Sequence, residues 1–216
     1  MNVLLEHTTA EVIEKKSRFI ANVFYVEKVE DAEEKLTCIK KEHYDAKHNC
    51  FAYVIGKNAE TLKSNDDGEP SGTAGHPMLD IIKGKELTNV IAIVTRYFGG
   101  TLLGTGGLVR CYSDSLKKAL KNAKISEIKN GYEVEFDINY DWYGKIENLI
   151  QNINQEVIKI YSIDKMFKEN ISVKLLINEN VFDRFDKEII NISKGAIKIS
   201  KDHLRNYYIN DRPIFI

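Results

Sequence analysis

The chain has 216 residues, enough for one large domain or two small ones that each bury a core. Its 31 basic and 32 acidic residues nearly balance, so the overall charge favours neither a nucleic-acid-binding protein nor a membrane-surface protein. The three cysteines form no CxxC pair, the N-terminal segment has no signal-peptide pattern, and no apolar run approaches the ~18 residues of a membrane span. These features predict a cytoplasmic protein that has no membrane partner.

The first part of the chain alternates predicted strands and helices. Alternating apolar residues from Phe19 to Tyr25 predict a strand with one buried face. A helix is predicted from Val29 to His43, because its apolar residues recur at helical spacing and its charges complement the helix dipole. A short apolar run from Cys50 to Ile55 predicts a second strand. The polar, glycine-rich residues from Leu62 to Gly75 predict a long loop.

Two helices then flank a strongly apolar strand. Pro77 suits the first turn of a short helix, and Gly84 suits its end. The run from Asn89 to Thr95 is uninterruptedly apolar, as expected of a strand covered on both faces. The residues from Leu108 to Leu120 carry the apolar stripe of another helix.

The pattern changes near Asn130 and Gly131, which predicts two domains, residues 1–129 and 130–216. From Tyr132 to Tyr140 aromatic and aliphatic residues alternate strictly with polar ones. The predicted order of elements in this second half is β-α-β-β-α-β, the ferredoxin-like split βαβ arrangement. The chain as a whole is therefore predicted to be α+β.

Nine of the 13 glycines fall between Asp66 and Tyr112, and eight of these lie in two loops that flank the buried strand. The first, from Asp66 to Gly75, is called the acidic loop because it carries Asp66, Asp67 and Glu69. These carboxylates have two interpretations. They are oxygen ligands for a divalent cation, although the spacing differs from that of a calcium loop, or they pair with Arg96 or Arg110 and order the two loops. We favour the second interpretation.

The second loop, from Phe98 to Gly107, is called the glycine loop. It joins the buried strand to a helix predicted to begin near Gly106, and the free N–H groups of a helix start favour an anion. Its spacing matches neither a P-loop nor a dinucleotide fingerprint. The alternative is a tight strand-to-helix turn. The candidate phosphate-binding residues are Arg96, Tyr97, Gly99, Gly100, Thr101, Gly104, Thr105, Gly106, Gly107, Arg110, Lys117, Lys118 and Lys121.

Basic residues are concentrated around the glycine loop. From Lys83 to Lys124 the chain has eight basic residues and two acidic ones, and three of the lysines share one face of the helix that follows the loop. Such a face is either a solvated surface or a track for a phosphate backbone. No His, Cys and Asp set has metal-ligand spacing and no serine or cysteine stands in a nucleophile motif, so we predict no metal, no cofactor and no catalytic residue.

The two loops together closely resemble two motifs of the IMPACT/YigZ family, in the order and spacing of that family. The motifs read Asp66-Asp67-Gly68-Glu69-Pro70-Ser71-Gly72-Thr73-Ala74-Gly75 and Arg96-Tyr97-Phe98-Gly99-Gly100-Thr101-Leu102-Leu103-Gly104-Thr105-Gly106-Gly107-Leu108-Val109-Arg110. The resemblance implies a first domain like the second domain of a small-subunit ribosomal protein. It also implies a second, ferredoxin-like domain similar to the last domain of elongation factor G.

The same resemblance implies a function. Eukaryotic relatives regulate translation during amino-acid starvation, and bacterial members are usually suggested to bind nucleic acid or the ribosome. We therefore expect a non-enzymatic regulator of translation that binds RNA or the ribosome, with Tyr97 or Phe98 available to stack on a base. Two alternatives stay open. One is a nucleotide-binding phosphotransferase in which the acidic loop holds magnesium, and the other is a protein-interaction module acting on the translation machinery.

Overall fold

A computed structural model of the protein describes residues 1–155, 157, 159–201 and 203–215. The contacts within the chain divide it into two units, Met1–Glu127 and Ile128–Ile216. This division lies two residues before the boundary expected from the sequence. Among the described residues, no helix has both the length and the apolar character to cross a bilayer.

The first unit is a central antiparallel sheet with helices on both faces. Its strands stand in the order β2-β3-β6-β4-β5, and a small second sheet pairs β1 with β7. The elements are β1 (Asn2–Leu4), β2 (Thr8–Glu14), β3 (Ser17–Tyr25), α1 (Val29–Glu42), β4 (His48–Ile55), β5 (Thr61–Asn65), α2 (Gly75–Gly84), β6 (Val90–Tyr97), α3 (Gly104–Lys121) and β7 (Ile125–Glu127).

Strand β6 lies at the centre of this sheet and is buried on both faces, as its uninterrupted apolar sequence predicts. Its even-numbered residues Val90, Ala92 and Val94 pack in a core with α2 and α3. Its odd-numbered residues Ile91 and Ile93 pack in a separate core beneath α1. Because successive strand residues point to opposite faces, this alternation fixes the side of the sheet on which each functional residue lies.

Part of the segment that was predicted to be a loop forms a strand. The loop expected from Leu62 begins as β5, which pairs with β4 at the edge of the sheet. Four of the five residues of β5 are exposed, so the strand lacks the buried alternating face on which a sequence pattern depends.

The second unit is a five-stranded antiparallel sheet in the order β12-β11-β8-β10-β9, with one core between the sheet and two helices. Each helix begins at an asparagine whose side chain accepts a backbone N–H, Asn139 for α4 and Asn178 for α5. The elements are β8 (Lys129–Ile138), α4 (Tyr140–Ile153), β9 (Ile160–Phe167), β10 (Ile171–Asn178), α5 (Glu179–Ser193), β11 (Leu204–Asn210) and β12 (Arg212–Phe215). The chain is thus a mixed α+β protein of two units.

Candidate nucleic-acid interface

Asp66 closes the acidic loop onto the start of α2. One oxygen of its carboxylate accepts the N–H groups of Ala74 at 2.9 Å and Gly75 at 2.8 Å, and the other accepts that of Gly72 at 2.8 Å. Burial alone pushes the pKa of Asp66 up, but the three N–H donors outweigh burial and lower it. The carboxylate thus satisfies donors that the N-terminus of α2 otherwise leaves free.

Asp67 ties the same loop to β4 and α1. Its carboxylate accepts the backbone N–H of Asn49 at 2.7 Å and the ammonium of Lys40 at 3.1 Å. Its carbonyl oxygen lies 2.8 Å from Nδ1 of His48. Asp67 therefore serves as a structural connection between three segments.

Glu69 carries the acidic loop into the protein interior. Its Oε1 accepts a hydrogen bond from Nη1 of Arg96 at 2.7 Å and another from the hydroxyl of Tyr112 at 2.8 Å. The Arg96 and Glu69 side chains are only 7% and 3% exposed. This buried ion pair spans 27 residues of sequence and joins the acidic loop to β6 and α3.

Cys50 extends this buried polar group. Its Sγ lies 3.3 Å from the Tyr112 hydroxyl and 2.9 Å from the Asp66 carbonyl oxygen. Burial raises the pKa of the Cys50 thiol to about 12 and raises that of Tyr112 far above its usual range. Both groups are therefore neutral hydrogen-bonding partners at physiological pH and unsuited to nucleophilic attack.

The structure thus favours the interpretation in which the acids order the loops. Arg96, expected to contact a phosphate, is instead buried against Glu69. Arg110, the other proposed partner, lies 3.4 Å from Glu14 in an exposed contact. Within the described part of the chain, no group of three or more His, Cys, Asp or Glu residues is arranged to hold a metal ion.

Tyr97 and Arg96 lie on opposite faces of the sheet, so the structure does not bring them into one site. Tyr97 lies on the α1 face, where its hydroxyl donates to Asp45 at 3.0 Å and lies 3.0 Å from Nδ1 of His43. Partial burial and then the Asp45 carboxylate raise the pKa of Tyr97. The signal was present in the sequence, because adjacent residues in a strand cannot share a face.

The glycine loop leaves the sheet with two large apolar side chains directed outward, while Leu103 packs against the core. Phe98 is 52% exposed and Leu102 is 83% exposed. Gly99 donates its N–H to Oγ of Ser17 at 3.0 Å, and a Cβ at this position would overlap the backbone of Lys16 and Ser17. Only glycine permits this close approach.

Helix α3 begins at Gly104, two residues earlier than expected from the sequence. Gly104 has a φ of +72°, and Gly100 a φ of +85°, both in the region that favours glycine. The preceding Leu103 offers no side-chain cap to the helix N–H groups. Thr101, Thr105 and Gly106 are exposed and Gly107 is half-buried, so the first turn of α3 faces solvent.

The predicted cations on α3 are exposed but differ in their contacts. Arg110 lies beside Glu14, and Lys118 donates to the carbonyl oxygen of Glu11 at 2.9 Å. Lys117 and Lys121 are exposed, and neither takes part in an ion pair among the described residues.

Two further cations lie beside the glycine loop but were not predicted from the sequence. Lys15 and Lys16 form the tip of the β2–β3 hairpin, where both adopt a positive φ. The close approach of Gly99 to the Lys16 backbone places this tip beside the glycine loop. A two-residue hairpin turn between paired strands is a recognisable pattern, but β2 is too weakly alternating to reveal it.

Comparison with known proteins places this arrangement in a family. The Impact N-terminal domain matches residues 15–120, which include both loops and nearly all of α3. The chain is 38% identical to the IMPACT family member YvyE of Bacillus subtilis over 90% of this chain and 87% of that protein. The chain belongs to the IMPACT family. The resemblance expected from the two loop motifs is therefore confirmed.

Other comparisons extend over both units of this IMPACT family member. It is 31% identical to the family member YigZ of Escherichia coli, over 86% of this chain and 89% of that protein. A crystal structure described as that of a hypothetical protein has a TM-score of 0.57 and 28% identity, over 92% of this chain and 95% of that chain. The likeness therefore includes the second unit as well as the Impact N-terminal domain.

Proposed function

We propose that this IMPACT family member binds RNA or the ribosome through its first unit and regulates translation without catalysing a reaction. The observation that carries the proposal is the solvent-facing glycine loop, with Lys15 and Lys16 beside it and Lys117 and Lys121 further along α3. None of these four lysines takes part in an ion pair among the described residues. The family resemblance supplies the link to translation.

The contact surface that we propose combines backbone donors and cations. The first N–H groups of a helix have no partner within it, and the side chain of Leu103 does not cap those of α3, so they suit phosphate oxygens at the positive end of the helix dipole. Thr101, Thr105 and the glycines 100, 104, 106 and 107 line this turn. Gly99 is excluded as a donor, because its N–H is bonded to Ser17. Arg96 is excluded as a phosphate contact because its guanidinium is buried in an ion pair with Glu69.

Cations along α3 extend the proposed surface beyond the loop. Arg110, Lys117 and Lys121 are exposed, and exposed lysines and arginines supply the sequence-independent part of RNA affinity. Lys118 adds a cation whose ammonium donates to a carbonyl oxygen and takes part in no ion pair within the described part of the chain. Binding should therefore weaken steeply with salt.

The second unit supports the same proposal through its order of elements. The order β8-α4-β9-β10-α5-β11, with β12 added at the edge of the sheet, supports a ferredoxin-like domain. We propose that this domain is similar to the last domain of elongation factor G. The likeness of the first unit to the second domain of a small-subunit ribosomal protein remains part of the proposal. The phosphotransferase alternative gains no support, because Asp66 and Glu69 are used within the fold.

A charge-reversal pair tests the proposal. We expect Lys117→Glu/Lys121→Glu to weaken RNA binding at least tenfold in a low-salt filter-binding series and to reduce the slope of affinity against salt. The matched control is Lys28→Glu/Lys41→Glu, the same charge change at exposed lysines of the α1 segment. Ribosome co-sedimentation of the same three proteins gives the second readout. Equal binding by both variants, or no binding by the wild type, contradicts the proposal.

A further inference from the structure

Phe98 is an exposed aromatic ring that contacts a buried arginine. The Arg96 guanidinium carbon lies 5.6 Å from the centre of the Phe98 ring and 5.4 Å from that of Phe19 in the core. Both distances are within the range of a cation–π contact. Glu69 fixes the other side of the same guanidinium. A buried, ion-paired arginine therefore links the exposed ring to the core.

The backbone on the other side of Phe98 is also anchored. Gly99 packs directly on Lys16 and Ser17 and donates its N–H to Ser17. Arg96, which contacts the ring, is thus held by the interior, and Gly99, which follows Phe98 in the chain, is held by the neighbouring hairpin. Its ring is nonetheless 52% exposed. A fixed ring loses little conformational entropy when a ligand covers it.

The surroundings of Phe98 are basic. The hairpin tip with Lys15 and Lys16 adjoins Gly99, and both lysines are exposed. Neither lysine takes part in an ion pair among the described residues. An aromatic face next to uncompensated cations matches the chemistry of a nucleotide, which offers a flat base and an anionic phosphate.

We infer that Phe98 is a stacking platform for an unpaired base of RNA, and that Arg96 is its positioning residue. The inference rests on the proposed function and specifies the class of RNA. A ring can stack on the face of a base only where that base is not already stacked within a helix, so single strands, loops and bulges are suitable and a continuous duplex is not. Lys15 and Lys16 bind the flanking phosphates.

The first test compares two RNAs by fluorescence anisotropy, a single-stranded oligouridine and a duplex of equal charge. We expect Phe98→Ala to weaken binding of the single strand by roughly 5- to 100-fold and to leave duplex binding unchanged. Leu102→Ala, a neighbouring exposed apolar residue, is the matched control and should bind both RNAs as the wild type does. Lys15→Glu/Lys16→Glu should weaken both.

A spectroscopic variant reports stacking directly. Trp142 is the chain's single tryptophan, so Phe98→Trp in a Trp142→Phe background places one indole on the platform. We expect its fluorescence to be quenched by oligouridine and not by the duplex. The positioning role of Arg96 is tested in Arg96→Met/Glu69→Gln, which removes both charges together and avoids a buried unpaired ion. It should lose the preference for the single strand while duplex binding and the thermal midpoint are retained.

The outcomes separate the two proposals. If neither RNA binds at low salt, the proposed function fails. If both RNAs bind but Phe98→Ala matches the wild type on the single strand, or the indole is quenched equally by the duplex, the stacking inference fails and the proposed function stands. Retention of single-strand preference by Arg96→Met/Glu69→Gln removes the positioning role alone.

Discussion

The acidic loop and the glycine loop border the same end of β6, yet they differ in the direction that their functional groups face. The acidic loop has three carboxylates, and the protein itself satisfies each of them. Asp66 accepts N–H groups at α2, Asp67 contacts β4 and α1, and Glu69 is buried against Arg96. The glycine loop has no acids, and its first helical turn, Phe98 and Leu102 all face solvent.

The comparison shows that charge in a loop does not predict exposure. The carboxylates point inward because hydrogen-bond donors of the fold lie within reach of them. A buried ion is tolerated when such partners are hydrogen-bonded to it. The glycine loop buries little, because five of its residues are glycines and Leu103 is its one apolar side chain packed against the core, while Gly99 holds it to the hairpin tip. We therefore expect changes in the acidic loop to affect stability, and changes in the exposed first turn of α3 to affect it little.

The largest effect is expected from Glu69→Ala. It leaves the Arg96 guanidinium buried without its carboxylate, and breaking a buried pair in this way costs about 3–5 kcal/mol. The free energy of unfolding measured with urea checks the value. The control is Glu14→Ala, which removes the carboxylate beside exposed Arg110 and should change stability by less than ~1 kcal/mol. Similar losses in the two variants would contradict the contrast between the loops.

A smaller, pH-dependent effect is expected from Asp66→Asn. An amide has one acceptor oxygen where the carboxylate has two, so we expect a loss of about 1–2 kcal/mol at pH 7. The folded-state pKa of Asp66 is lowered, so its stabilisation is complete above the unfolded value of about 3.9 and is lost as pH falls through the folded pKa.

The difference in stability between wild type and Asp66→Asn should therefore narrow on acidification. Urea titrations at neutral and strongly acidic pH measure it. Asp80→Asn, which changes an exposed carboxylate on α2, is the control and should show a small difference throughout. If the difference in stability between wild type and Asp66→Asn stays constant down to low pH, Asp66 is not the carboxylate that caps α2.

The smallest effects, of opposite sign, are expected within the glycine loop. Gly106 has a helical backbone and open space where a Cβ would stand, so Gly106→Ala should stabilise the protein by about 0.5–1 kcal/mol. Gly104 has an equally open position but a positive φ, so Gly104→Ala should destabilise by ~1 kcal/mol. Thermal midpoints compare the pair. A loss of stability in Gly106→Ala would contradict the open space that the structure gives a Cβ at this position.

The sequence predicted the interior elements of the first unit well. The strands β3, β4 and β6 and the helices α1, α2 and α3 were expected close to their observed ranges, because each buries a face whose apolar residues recur with the period of the element. The edge strand β5 was assigned to a loop, and β2 was not recognised, since edge strands expose much of their surface. Without β2 the hairpin tip and its lysines Lys15 and Lys16 were not seen.

What the sequence determined by itself was the set of buried strands and helices and, through two long motifs, membership of the IMPACT family. Only the tertiary structure decided which acid meets Arg96, which face of the sheet receives Tyr97's hydroxyl, and which cations stand beside Phe98. The physical reason is the range of the interactions. Periodicity is a property of neighbouring residues, whereas the Arg96–Glu69 pair and the packing of Gly99 on Lys16 join segments that come together only when the sheet has formed.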